Sequence, residues 1–225
     1  MPSLQNAMKR CGRSLLDLVY PSGCAVCQEK LPPSEKGGLC PFCLSKIPSG
    51  SFRLGEVPHL DSVFCLSPYE GMLREALHAL KYGGRQDVAF SLSQRLKDAA
   101  TKEFTSSSFD WIVPVPLSWE KENDRQFNQS ERLARIVAES LSVPISVGNL
   151  ERIQNNRPQV GLPREKRLKN VRNSFRVKRP SLFSGKRILL IDDVITTGAT
   201  LSACAKVLRG SGAEKISALT LGGGE

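Results

Sequence analysis

The sequence predicts an α/β protein, in which helices flank a parallel sheet and a small cysteine-rich knuckle precedes it. Apolar, strand-like runs alternate with helical patterns over most of the chain, as is typical of parallel sheets with right-handed crossovers. One of these runs ends in two adjacent acids and a hydroxyl-rich turn, and four cysteines near the start are paired. The chain has 225 residues, enough for one α/β domain with an appendage.

Hydrophobic periodicity predicts the order of the elements, and the cysteines, linker-like residues and basic segment divide the chain into three regions. The regions are a leader over 1–23, a knuckle over 24–50 and the main domain over 51–225, with a flexible basic lid at about 151–172. The predicted strands are 63–67, 110–115, 145–148, 174–177, 188–191 and 215–221. The predicted helices start near 71, 86, 127 and 200, and the first of them ends at the paired glycines 83 and 84.

The four paired cysteines predict a metal site. Their pattern is Cys24-x₂-Cys27-x₁₂-Cys40-x₂-Cys43, and two C-x-x-C pairs about a dozen residues apart are a strong zinc signal. Four thiolate ligands indicate a closed, structural site rather than a catalytic one. Disulfides and an iron–sulfur cluster are the alternatives that the sequence leaves open. A reducing compartment argues against disulfides.

The segment Ile188–Thr200 reads I-L-L-I-D-D-V-I-T-T-G-A-T. Four apolar residues predict a buried strand, Asp192 and Asp193 come at its carboxyl end, and the turn that follows opens a helix. Ligands of open α/β sheets bind at this end of the strands, and the free N–H groups of a helix start attract phosphate. Carboxylates repel phosphate unless they face sugar hydroxyls or Mg²⁺. The segment therefore predicts a site for a phosphorylated sugar.

Charge and hydropathy limit the remaining choices. Between Glu151 and Arg187, 12 Lys and Arg residues accompany 2 acids, so this segment carries the whole net charge of +10. Apart from a solvated basic surface, this excess indicates a grip on an anionic ligand, a path for nucleic acid, or both. No apolar run approaches the roughly 18–20 residues of a membrane span, and the start lacks the apolar stretch of a secretory signal. We therefore expect a cytoplasmic protein.

Motifs outside the acidic segment add a family resemblance. The segment 188–200 itself is similar to the signature of type I phosphoribosyltransferases, which bind phosphoribosyl pyrophosphate (PRPP). With the first cysteine pair and the motifs below, in this order, the chain resembles the ComF family (ComFC/GntX-like) over roughly residues 15–221. The motifs are Tyr69-Glu70-Gly71, Leu80-Lys81-Tyr82, V-P-V-P-L-S, R-Q-F-N-Q-S at 125–130, L-E-R-I at 150–153, Q-V-G-L at 159–162 and R-x-x-N-V at 167–171.

The resemblance implies a role for each residue of the candidate site. Asp192 and Asp193 would hold the ribose hydroxyls and are the candidate catalytic residues. The implied PRPP-binding residues, beside these two acids, are Val194, Thr196, Thr197, Gly198, Ala199, Thr200, Leu117, Ser118 and Lys81. The implied lid or nucleic-acid residues are Arg125, Arg152, Arg157, Arg164, Lys166, Arg167 and Lys169. The implied cofactors are structural Zn²⁺ at the four cysteines and Mg²⁺ arriving with PRPP.

Three functions remain open at this stage. The first is a phosphoribosyltransferase with an unknown acceptor, since no aromatic cluster for stacking a nucleobase stands out. The second is a DNA-uptake module of natural transformation that binds single-stranded DNA and keeps PRPP binding as a regulator or relic. The third is a structural adaptor for a protein partner, such as the competence helicase or DNA-processing proteins that the resemblance implies.

Overall fold

The computed structural model describes residues 23–32, 37–48, 50–117, 128–153 and 174–224. Its helices are α1 (Pro41–Ser45), α2 (Gly71–Tyr82), α3 (Val88–Glu103), α4 (Gln129–Leu141) and α5 (Ala199–Gly210), with a 3₁₀ turn at Pro180–Leu182. Its strands are β1 (Phe52–Arg53), β2 (Ser62–Pro68), β3 (Trp111–Pro114), β4 (Leu150–Arg152), β5 (Phe175–Val177), β6 (Arg187–Ile195) and β7 (Lys215–Gly223). Within these ranges no helix is both long and apolar enough to span a membrane.

Five strands form the main sheet in the order β1-β2-β7-β6-β3. The four strands from β2 to β3 in that order are parallel, and only β1, at the edge, is antiparallel to its neighbour. Strands β4 and β5 form a separate antiparallel ribbon. The predicted fold class, a parallel sheet flanked by helices behind a four-cysteine knuckle, is confirmed.

The core lies on both faces of the sheet, because side chains alternate along each strand. On β6, Leu189 and Ile191 belong to the core layer that includes α2, α3 and α4. Their neighbours Ile188 and Leu190 belong to the opposite layer, which includes α5 and Phe175 of the ribbon. Both faces of β6 are therefore covered, and a ligand can approach this strand at its end.

The knuckle packs against α3 and shares a core with it. Leu39 and Ile47 are buried in the same cluster as the apolar face of α3. A Cβ on Gly38 would lie 2.8 Å from side-chain atoms of Asp87 and Val88 at the start of α3, so only glycine fits this close contact. Arg95 of α3 donates a hydrogen bond from Nη2 to the carbonyl oxygen of Leu44 (2.9 Å). The knuckle is therefore fixed to the main sheet's helical layer.

One sequence prediction about the strands is wrong in position. The strand predicted at 145–148 lies instead at Leu150–Arg152, and Ile145 makes only an isolated bridge to Ile112. Pro144 cannot donate a ladder hydrogen bond and Gly148 has a φ of +71°, so the chain turns here before it extends. Glu151 and Arg152, the first residues of the basic lid predicted at about 151–172, belong to β4. The lid's residues 154–172, and the predicted leader before Gly23, lie outside the described residues.

Candidate functional site

The two adjacent acids lie within β6 at the carboxyl edge of the sheet. The strand continues past them to Ile195, and Asp192 is in register with Thr220 of β7. On the other side, the N–H of Val115, just past β3, donates to the carbonyl oxygen of Ile191 (2.9 Å). The acids therefore lie between the ends of two neighbouring parallel strands, where ligands of such sheets bind.

Asp192 is partly buried and is held by two donors. Its Oδ1 accepts a hydrogen bond from the hydroxyl of Ser130 (2.8 Å) and another from the backbone N–H of Asp193 (2.9 Å). Burial, followed by the neighbouring charge of Asp193, raises the pKa of Asp192 to about 7, although the two hydrogen bonds and Lys81 act in the opposite direction. Near neutral pH this carboxyl group therefore changes its charge readily.

Asp193 forms an ion pair with Lys81 from the last turn of α2. The distance between Lys81 Nζ and Asp193 Oδ2 is 2.6 Å, and both side chains are 14% exposed. The structure thus brings together Lys81, an implied PRPP-binding residue, and an acid implied to hold ribose, which are 112 positions apart in the chain. The pair leaves the site with a smaller net negative charge than two free carboxylates would give.

The turn after β6 ends in a glycine that caps α5. Gly198 has a φ of +70°, and a Cβ there would lie 3.0 Å from a methyl carbon of Val57. Since Gly198 has no side chain to cap the helix, only a weak contact (3.4 Å) joins Thr197 Oγ1 to the N–H of Ala199. Thr196 and Thr197 are exposed. The helix start therefore presents backbone N–H groups and hydroxyls to an anion.

A cavity of about 430 Å³ lies beside this turn. The segment between β1 and β2 contributes Pro58 and His59, and α5 contributes Ser202 and Lys206. The same segment covers Gly198 through Val57. His59, for which the sequence indicated no role, thus lies next to the turn.

The other predicted residues have different surroundings. Arg152 on β4 places its guanidinium carbon 5.5 Å from the ring centre of Phe175. Leu117 is half-buried just beyond β3, at the same edge of the sheet as the acids. Seven predicted residues lie outside the described residues: Ser118, Arg125, Arg157, Arg164, Lys166, Arg167 and Lys169.

The four paired cysteines converge, as the spacing predicts. Their Sγ atoms all lie within 4.8 Å of one another, and Cys27 and Cys40 are 3.6 Å apart. Tetrahedral zinc with Zn–S bonds of about 2.3 Å requires S···S separations of roughly 3.8 Å. All four are free thiols, and the N–H groups of Cys40 and Cys43 donate to the sulfurs of Cys24 and Cys40. The cluster therefore suits a metal ion.

The surroundings shift the pKa values of two of these thiols in opposite directions. Burial raises the pKa of Cys24, but hydrogen bonds from the backbone at Cys40, Cys27 and Val26 outweigh burial and lower it to about 6. Burial and the neighbouring cysteines raise the pKa of Cys43 well above its ordinary value. Each thiolate makes ionisation of the neighbouring thiols less favourable. Four thiolates can therefore lie this close together only with a cation among them.

Sequence reasoning missed the first turn of α4. Asn128 caps this helix by accepting hydrogen bonds from the N–H groups of Ser130 and Glu131, and its side-chain amide donates to the carbonyl oxygen of Val115. Asn128 and Ser130 belong to the R-Q-F-N-Q-S motif, in which only Arg125 had an implied role. An Asn at a helix start is a capping signal. The hydrogen bond from Ser130 to Asp192, however, crosses 62 positions of the chain, and no local pattern predicts it.

The acidic edge lies in a part of the chain that matches a known family of domains. Residues 128–223 match the family described as phosphoribosyl transferase domain. The match begins at the cap of α4 and ends with β7, so it includes both acids and the turn.

Relatives with names from DNA metabolism extend over more of the chain. The chain is 29% identical to DNA utilization protein YhgH of Salmonella typhi over 202 residues, which cover 86% of each chain. It is 32% identical to Competence protein ComFC of Bacillus subtilis (strain 168) over 161 residues, covering 68% of this chain and 60% of that protein. The resemblance to the ComF family is confirmed.

Among solved structures, the chain is similar to glutamine PRPP amidotransferase from B. subtilis. The identity is 20% and the TM-score 0.43, over 64% of this chain. The chain spans 30% of that protein's length. A similarity this distant adds nothing to the argument from the sheet and the site.

Proposed function

We propose that the carboxyl edge of the sheet binds PRPP. Asp192 and Asp193 take the ribose hydroxyls, and the turn from Thr196 to Thr200 takes the 5′-phosphate. The observation that carries this proposal is the juxtaposition of two carboxylates with a helix start whose cap, Gly198, leaves the N–H groups accessible. One end of the ligand needs acceptors and the other needs donors, and these groups supply both at adjacent positions.

Lys81 supports the pyrophosphate part of this proposal. A pyrophosphate next to two uncompensated carboxylates would be repelled, but the Lys81 ammonium group lies 2.6 Å from Asp193 Oδ2. It can therefore contact both the acid and an incoming anion. Mg²⁺ would arrive bound to the pyrophosphate oxygens, as is usual for this ion, and would neutralise part of their charge.

We propose displacement at the ribose C1 as the reaction, with an acceptor that is not yet known. A bond forms between the acceptor's nucleophilic atom and C1, the bond from C1 to the pyrophosphate oxygen breaks, and pyrophosphate leaves with the electron pair. Lys81 stabilises the negative charge that grows on the leaving group. If no acceptor reacts, the same binding site serves as a PRPP sensor.

Calorimetric titration with PRPP and Mg²⁺, paired with a pyrophosphate-release assay, tests both parts. The release assay uses a panel of nucleobases and single-stranded DNA. We expect binding in the wild type and in Asp98→Ala, an exposed control on α3, and at least a tenfold weaker affinity in Asp193→Ala. Binding without release for any acceptor favours a sensor. Absence of binding in the wild type rejects the proposal.

We propose single-stranded DNA binding as a second candidate. The names of the relatives, DNA utilization and competence proteins, support it, and so does the charge excess between Glu151 and Arg187. The described part of that segment includes the β4–β5 ribbon, where the side chains of Arg176 and Lys178 are 64% and 53% exposed. Both pair with Glu151 at the ribbon's surface, so they remain accessible to phosphates.

The salt dependence of DNA affinity tests this candidate. If Arg176 and Lys178 contact phosphates, their replacement by Gln should make the slope of log K against log salt shallower by about 1.4, since each contact with a single strand contributes roughly 0.7. The matched control replaces Lys97 and Lys102 on α3. Neutralising Arg164, Lys166, Arg167 and Lys169 extends the test. If none of these replacements changes the slope, the basic segment is not the DNA contact.

We also propose that the four cysteines hold one structural zinc ion. Four thiolates that close a tetrahedron leave no position for a substrate, so the ion would act by holding α1 and the preceding turn together. Elemental analysis of purified protein should give one zinc per chain, lost in Cys27→Ser and kept in Cys65→Ala, which changes a core thiol outside the cluster. Iron in place of zinc, or no metal, would contradict this assignment.

A further inference from the structure

The first turn of α4 is built into the carboxyl edge of the sheet at two points. Asn128 binds the carbonyl oxygen of Val115 through its side-chain amide (3.2 Å), which ties the helix start to the end of β3. Ser130, only 1% exposed, donates its hydroxyl hydrogen bond to Asp192 Oδ1 (2.8 Å). The helix thus contacts both strands that meet at the acids.

The two donors to Asp192 share one oxygen. Ser130 Oγ and the N–H of Asp193 both bind Oδ1, and neither uses Oδ2. A carboxylate held at one oxygen has a fixed plane and a fixed direction for the other oxygen. Because a planar acceptor binds a hydroxyl well only near its lone-pair directions, this restraint decides where a ligand hydroxyl can be bound.

We propose that Ser130 is a positioning residue, which orients the carboxylate of Asp192 so that Oδ2 faces the ribose hydroxyls of the ligand. The inference deepens the proposed PRPP site and rests on it. Ser130 touches no ligand in this arrangement and acts only through Asp192. It accounts for the last residue of the R-Q-F-N-Q-S motif, which the other roles leave unexplained.

The groups around Asp192 define what else can influence it. Asp193 is adjacent on β6, and Lys81 reaches the two acids from α2. The buried thiol of Cys204 lies on α5 beneath the strand, and Arg152 is close enough to act on that thiol. Ser130 contributes the contact from α4. Because a hydrogen bond to the ionised carboxylate favours that form, removing the Ser130 hydroxyl should make Asp192 harder to ionise.

The test is a double-mutant cycle on the full chain. PRPP affinity is measured by calorimetry in the wild type, Ser130→Ala, Asp192→Asn and the double variant, between pH 5.5 and 8.5. We expect about tenfold weaker binding in Ser130→Ala, with its pH midpoint shifted upward, and little further loss when Ser130→Ala is added to Asp192→Asn. Additive losses, or an unshifted midpoint, would overturn the proposal.

A matched control separates positioning from folding. Ser93 on α3 is 2% exposed and donates to the carbonyl oxygen of Phe90, far along the chain from the acids. Ser93→Ala removes the same kind of buried hydroxyl and should leave PRPP affinity within twofold of the wild type. If Ser93→Ala weakens binding as much as Ser130→Ala does, the effect of Ser130 is a general loss of structure and the proposal is rejected.

A measurement without ligand distinguishes this inference from the proposed function. The side-chain carboxyl ¹³C shift of Asp192 is followed by NMR from pH 5 to 9 in the wild type and Ser130→Ala. An upward shift of the midpoint in Ser130→Ala supports the contact even if PRPP does not bind, in which case only the ligand assignment fails. Identical titration curves would show that Ser130 does not act on Asp192.

Discussion

At the scale of single residues, the candidate site contains two groups in energetically unfavourable states. Asp192 is a carboxyl group in a place that disfavours its charge, and Gly198 is in a conformation that other residues rarely adopt. Both features should lower stability and serve ligand binding. They can be tested separately, because each has a counterpart elsewhere in the chain with the opposite behaviour.

The pKa of about 7 for Asp192 predicts how stability depends on pH. The unfolded chain has an ordinary carboxyl group, so between about pH 4 and 7 the folded state binds more protons and its stability falls as the pH rises. Asp192→Asn should therefore increase the unfolding free energy by about 1–3 kcal/mol at pH 8, with little effect at pH 4. Urea unfolding at both pH values measures this difference.

Asp110 provides the control of opposite sign. Hydrogen bonds from Arg187 lower its pKa to about 2, so its contribution is present at neutral pH and is lost as the pH falls through about 2. Asp110→Asn should destabilise the protein at pH 8. If Asp192→Asn also destabilises the protein at pH 8, the ionised carboxylate of Asp192 does not lower the stability of the folded state.

A side chain at position 198 should destabilise the protein. With a φ of +70° and a methyl of Val57 at 3.0 Å from a Cβ, Gly198→Ala should lower the unfolding free energy by about 1–2 kcal/mol and weaken phosphate binding. Gly210, at the other end of α5, has open space around its Cβ position. Gly210→Ala should be neutral or slightly stabilising, as thermal unfolding of both variants would show. Equal effects would mean that α5 responds to alanine regardless of position.

At the scale of elements, sequence patterns predicted the features that depend on interactions between residues close together in the chain. The β6 run and the turn after it were predicted because apolar periodicity, paired acids and glycine act within a few residues. The cysteine spacing likewise predicted a cluster. The contacts of Ser130 with Asp192 and Lys81 with Asp193 could not be predicted, since they depend on how α4 and α2 pack over the sheet. The strand at 150–152 was missed because its pairing with β5 spans the whole basic segment.

The knuckle should not unfold on its own. Since Leu39 and Ile47 are buried against α3 and Arg95 binds Leu44, removing the zinc ion proposed for the four cysteines should lower the stability of the whole main core. A loss of about 3 kcal/mol corresponds to a melting temperature roughly 6–12 °C lower for a chain of this size. Calorimetry with and without a chelator measures the shift, and hydrogen exchange reports on α3. Unchanged protection of α3 amides after chelation would show that the knuckle melts separately.

At the scale of the whole molecule, the carboxyl edge of the sheet, where the parallel strands end, and the amino edge, where they begin, carry different side chains. The carboxyl edge holds the acids, the turn and Lys81. The amino edge holds two ion pairs, Asp61 with Arg209 and Asp110 with Arg187. One pair joins the loop before β2 to the last turn of α5, and the other joins the residue before β3 to the first residue of β6. Both lie at the opposite end of the strands from the candidate site, so stability and ligand binding should be separable by mutation.

Asp61 provides the test of that separation. Its carboxylate accepts hydrogen bonds from Arg209 and from the N–H of Ile216, next to the start of β7. Because Asp61 is 40% exposed, Asp61→Asn should cost only about 1 kcal/mol of unfolding free energy, and PRPP affinity should stay within twofold. A larger loss of affinity than of stability would mean that the two edges are coupled.

The shared packing of the knuckle and α3 also bears on how the chain can be divided. A fragment that begins near residue 51 would keep every strand of the main sheet but would uncover the apolar side of α3 where Leu39 and Ile47 lie. Such a fragment should self-associate or aggregate, because a contiguous apolar surface would face water. The natural unit for expression, crystallisation and labelling therefore includes the cysteines.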